Sequence, residues 1–67
     1  MKMDLDHLFT YHAPTPDQVA RYDRLRAAAK AFAAVVIDTT PPGADQDAAV
    51  RKVREAVMTA NAAIALG

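Results

Sequence analysis

The chain has 67 residues, 52% of them hydrophobic but only 6% aromatic, and its eight basic and eight acidic side chains cancel to zero net charge. Balanced charge offers no net field for a DNA or RNA polymer or an anionic membrane surface, and a chain this short has room for one domain with a marginal core. With no cysteine, disulfides and thiolate metal sites are excluded, and two histidines alone do not make a structural zinc site, so self-association is the remaining way to supplement the core.

The pattern predicts an all-α chain forming a single domain over 1–67, an antiparallel two-helix hairpin preceded by a short N-terminal arm or helix and assembling as a homo-oligomer. Residues 1–14 are the arm. Its start, Met1-Lys2-Met3-Asp4-Leu5-Asp6, places acid where a secretory signal is basic and then apolar. The longest apolar run, Ala31 to Ile37, is far shorter than the roughly 20 residues a membrane span needs. A soluble cytoplasmic protein without membrane contact is expected. His7 and His12, with Asp4 and Asp6 nearby, invite a metal reading, but their spacing fits no ligand pattern. Exposed or hydrogen-bonded imidazoles are the preferred reading, with no metal and no cofactor.

The first long helix is predicted over 15–40. Thr15-Pro16-Asp17-Gln18 supplies an N-cap, a proline at the first helical position and a glutamine three residues on, which is a capping box. Asp17 complements the positive helix end and precedes Arg21 by four residues, the favourable order for an ion pair. Tyr22, Leu25, Ala29, Phe32, Ala33 and Val36 fall on one stripe at about 100° per residue and are the expected core. Ala20, Ala27, Ala31 and Ala34 lie opposite, where a solvated helix usually carries charge, and are read as an intersubunit surface. The β-branched run Val35-Val36-Ile37 and the pair Thr39-Thr40 weaken the helix before the turn at 41–43, Pro41-Pro42-Gly43, stops it.

The second long helix is predicted over 44–66, with core positions Val50, Val53, Val57, Ala60 and Ile64 flanked by Ala49, Ala56 and Ala63. So short a connection makes the two helices antiparallel neighbours. Arg54, Met58, Asn61 and Ala65 share a mixed edge of this helix.

Catalytic constellations are missing from the sequence. There is no serine or cysteine, one glutamate (Glu55), and no glycine-rich phosphate loop, the two glycines being Gly43 and Gly67. An enzyme is not expected. Three of the four aromatic residues, Phe9, Tyr11 and Tyr22, lie in the first third, beside the histidines and just before Arg21, Arg24, Arg26 and Lys30. Aromatic faces beside cations suit a nucleotide, with a ring for the base and a cation for the phosphate. Docking of the arm onto the hairpin explains the same aromatics and is the simpler reading; with the alanine-rich face it fits a structural or interaction module that self-assembles through its helical faces, the alternative to a nucleotide binder.

Three segments together resemble one family: Phe9-Thr10-Tyr11-His12-Ala13-Pro14-Thr15, the helix through Arg26-Ala27-Ala28-Ala29-Lys30, and Glu55-Ala56-Val57-Met58-Thr59-Ala60-Asn61-Ala62-Ala63-Ile64-Ala65. It is the hairpin family of phage anti-CBASS and anti-Thoeris nucleotide sponges. The resemblance implies a homo-hexamer in the host bacterial cytoplasm that binds cyclic oligonucleotide signals, cyclic dinucleotides first, and holds them without cleavage. It implies a site between two subunits in which Tyr11 supplies the aromatic contact and Arg26 the basic one. His12, Phe9 and Lys30 complete the candidate ligand set, and cyclic trinucleotides or ADP-ribose-derived signals stand as further candidate ligands. The chain departs from many members at Thr59, where they carry Trp, and at Leu66, where they carry a basic residue.

Overall fold

The protein is described here by a computed structural model covering residues 3–67. It folds into α1 (Leu5–Phe9), α2 (Pro16–Thr39) and α3 (Ala44–Leu66), with no strand among the described residues. The two long helices match the predicted ones once cap residues are set aside, and the arm contains a short helix.

Local chemistry explains each boundary. Asp4 caps α1 by accepting from the His7 backbone N–H at 3.2 Å, and the Thr10 hydroxyl donates to the Asp6 carbonyl at its far end. The predicted capping box starts α2: the Thr15 hydroxyl accepts from the Gln18 N–H at 3.2 Å, and Gln18 Oε1 accepts from the Thr15 N–H at 3.0 Å. At the other end the hydroxyls of Thr39 and Thr40 donate to the Val35 and Val36 carbonyls, each at 2.7 Å, taking up acceptors of the last turn. The chain then reverses through Pro41-Pro42-Gly43. Gly43 has φ 157° and ψ −174°, a conformation essentially reserved to glycine. It caps α3 without a side chain, and Asp45 and Asp47 in the first turn answer the positive end of the helix instead.

The packing of α2 against α3 is the one extensive contact between elements. Tyr22, Leu25, Ala29, Ala33 and Val36 meet Val50, Val53, Val57, Ala60 and Ile64 as half-buried side chains, as the stripes predict. Phe32 differs: it is 60% exposed and stands at the margin of the seam. One partner helix covers only an arc of α2, and position 32 falls on that arc's edge. Among the described residues none is buried. The radius of gyration is 15.0 Å, against about 11 Å for a compact chain of this length. The hairpin is therefore a single layer of two helices rather than a closed core, and Ala20, Ala27, Ala31 and Ala34 are exposed.

Two glutamines tie the ends together. Each is the third residue of its helix, and each reaches across to the final carbonyls of the other. Gln18 Nε2 donates to the Ile64 carbonyl at 3.2 Å, and Gln46 Nε2 to the Thr40 and Ile37 carbonyls at 3.0 and 3.3 Å. These carbonyls have no partner within their own helix.

Candidate functional site

The seam between the helices opens into grooves on both flanks of the hairpin, and the two differ in chemistry. One groove, about 720 Å³, is lined by Leu25, Ala28, Phe32 and Val36 of α2 and Ala49, Ala56 and Ala60 of α3, with Lys52 as its sole charged residue. On the other flank a groove of about 270 Å³ has Ala29, Ala33, Val50, Val53 and Val57 as its floor and Arg26, Lys30, Arg54 and Met58 around it. Among the described residues no acidic side chain lines it. Three cations above an apolar floor give this second flank a local positive field, the chemistry that attracts an anion.

Arg26 and Lys30 come together because they lie four residues apart on α2. Arg54 joins them from α3. The sequence placed Arg54 and Met58 on a mixed edge of the second helix without linking that edge to Arg26. The signal for the link lay in the antiparallel register that the Pro-Pro-Gly turn imposes. Arg26 Nη1 bonds Asp23 Oδ1 at 3.0 Å, both side chains about two-thirds exposed. So exposed a pair contributes little to stability. On the same side of α3, Asn61 Oδ1 is buried and has no hydrogen-bond partner.

The arm residues lie elsewhere. Phe9 and Tyr11 are 84% and 82% exposed, so neither anchors the arm to its own hairpin. That corrects the simpler sequence reading, in which these aromatics dock. The histidines hold the arm instead. His7 Nε2 donates to the Leu66 carbonyl at 3.0 Å and His12 Nε2 to the His7 carbonyl at 2.8 Å, so the hydrogen-bonded reading of both imidazoles is the observed one. Their rings meet edge to face, centroids 4.9 Å apart. Among the described residues no group of three or more His, Cys, Asp or Glu is placed to hold a metal ion. Neither Phe9, Tyr11 nor His12 lines the groove that carries Arg26 and Lys30. Within one chain the five candidate residues thus fall into two separate groups, Phe9, Tyr11 and His12 on the arm and Arg26 and Lys30 on the basic flank.

A model of the Acb2/Tad1 hairpin domain matches residues 1–65. The chain belongs to the Acb2/Tad1 hairpin family. This is the family of anti-CBASS and anti-Thoeris sponges, binding domains for cyclic-nucleotide signals. Its hairpin is what α2, the turn and α3 form here. Comparison with curated proteins and with solved structures gave no match. Among the described residues no helix of this Acb2/Tad1 hairpin is long and apolar enough to cross a membrane.

Proposed function

We propose that this Acb2/Tad1 hairpin is a phage-encoded sponge that assembles as a homo-oligomer, a hexamer, in the cytoplasm of the infected bacterium. It sequesters cyclic dinucleotides there and does not cleave them. The observation that carries the reading is the basic flank: Arg26, Lys30 and Arg54 over an apolar floor, in a member of a family of cyclic-nucleotide binders. Tyr11 is exposed and separate from that flank, which suits a site where one copy brings the ring and another the cations. A two-fold junction of this kind presents a cyclic dinucleotide with matching groups on both sides. Cyclic trinucleotides and ADP-ribose-derived signals carry the same phosphate and purine chemistry and belong in the test panel.

Packing also supports self-assembly. The seam side chains are only half-buried and Phe32 at its margin is 60% exposed, so a second copy on the 720 Å³ groove removes Phe32 and its alanine neighbours from solvent.

Calorimetric titration with cyclic di- and trinucleotides, followed by heat release and chromatography of the ligand, tests the reading. Tight binding with the ligand recovered intact is expected. Tyr11→Ala abolishes binding and leaves the oligomer unchanged. Absence of heat with every member of the panel refutes the sponge, and recovery of a cleaved product refutes storage without turnover.

A further inference from the structure

The arm poses a physical question, because the apolar side chains that would ordinarily hold it do not. Met3, Leu5, Phe9 and Tyr11 are all more than half exposed, and Leu8 is 42% exposed. The contacts that fix the arm are polar and few. His7 reaches the carbonyl of Leu66, the last residue of α3. His12 folds back onto the carbonyl of His7, and Thr10 onto that of Asp6.

We infer that His7 and His12 are positioning residues for the ligand site: they latch the arm to the C-terminal end of α3 and so present the Tyr11 ring at a fixed place. The inference rests on the reading that Tyr11 contacts the nucleotide.

The chemistry supports the latch from both sides. Both acceptors are backbone carbonyls, so each imidazole must carry its proton on Nε2 to bond them. The Leu66 carbonyl lies in the last turn of a helix, where no intrahelical donor reaches it, and α3 has no basic side chain in that turn to serve instead. His7 therefore satisfies an acceptor that nothing else in the helix satisfies. Tyr11 sits between Thr10 and His12, both of which bond back to α1. Among the described residues the hydrogen bond from His7 to Leu66 is the one that ties this unit to α3, and beyond it the ring is held to the hairpin by the chain through Ala13 and Pro14 to α2. Breaking that link leaves the contact surface of Tyr11 intact but lowers the fraction of molecules that display it, and apparent affinity falls in proportion.

The test uses the full chain in four forms: wild type, His7→Ala, His7→Gln and Tyr11→Ala. Glutamine carries an amide donor at a reach similar to that of Nε2. Two quantities are measured: the rate of chymotryptic cleavage after Phe9 in the free protein, and association and dissociation rates with cyclic di-AMP and cyclic GMP–AMP. His7→Ala is expected to speed cleavage and to slow association by about five- to tenfold, the worth of one hydrogen bond, with dissociation unchanged. His7→Gln restores both rates. Tyr11→Ala leaves cleavage as in wild type and loses binding. If His7→Ala associates at the wild-type rate while Tyr11→Ala still loses binding, the latch is overturned and the sponge reading stands. If Tyr11→Ala binds normally, the sponge assignment of that ring falls. The latch is then judged by cleavage alone, and an unchanged rate in His7→Ala overturns it.

Discussion

The two flanks of the hairpin are built from the same helices and the same seam, yet one is apolar with a lone lysine and the other carries three cations. The difference comes from which residues border the seam. On α2, Ala28 and Phe32 lie on one side of Leu25 and Ala29, and Arg26 and Lys30 on the other. On α3, Ala49 and Ala56 face Arg54 and Met58 in the same way. Two neighbouring copies of such a layer can divide the labour. On the proposed reading the apolar flank serves burial, which is non-directional and not weakened by salt screening, and the basic flank serves an anion, where geometry and charge decide.

Substitutions that put the wrong chemistry on each flank break this division. The largest effect is expected from Phe32→Asp, which places a charge on the apolar groove. Each buried phenylalanine contributes about 1.5–3 kcal/mol, so the dissociation concentration of the oligomer rises at least tenfold per copy in analytical ultracentrifugation, with loss of helical circular dichroism on dilution. Arg26→Glu leaves sedimentation unchanged and weakens cyclic-dinucleotide binding by roughly a hundredfold, because a charge-assisted hydrogen bond of about 1.5–3 kcal/mol is replaced by repulsion. Lys52→Glu makes the same reversal on the apolar flank, and its effect on affinity in the same titration stays below about threefold if that flank is distant from the ligand. The smallest change is a gain. Asp23→Ala frees Arg26 from its 3.0 Å partner and tightens binding about two- to threefold, the scale of an exposed ion pair. Equal effects of the Arg26 and Lys52 reversals would erase the distinction between flanks.

Much of the hairpin is legible in the residues themselves because its signals are local. Thr15, Pro16 and Gln18 start a helix by their own hydrogen bonds, and Pro41-Pro42-Gly43 ends one by sterics. Phe32 was harder. Periodicity assigns it an angle near the core stripe, whereas its exposure depends on how wide an arc the single partner helix covers. The candidate site divides the same way. Arg26 and Lys30 share a helix face by spacing, but Arg54 joins them through the register between helices. The attachment of the arm is hidden for another reason. His7 binds a backbone carbonyl of Leu66, an acceptor that every residue type offers, so no pairing of side chains in the sequence marks it. Gln18 conceals its second role similarly: the capping box accounts for Oε1, while Nε2 is free to reach Ile64.

That pair of crossed glutamines has a consequence for how the hairpin comes apart. Helix ends ordinarily fray one at a time, each at its own small cost. Here the first turn of α2 holds the last turn of α3, and the first turn of α3 holds the last turn of α2. Unwinding one terminus strips the other of its donor. The molecule has four helix termini along the hairpin but only two places to open, and each opens as a unit, like a strap buckled at both ends.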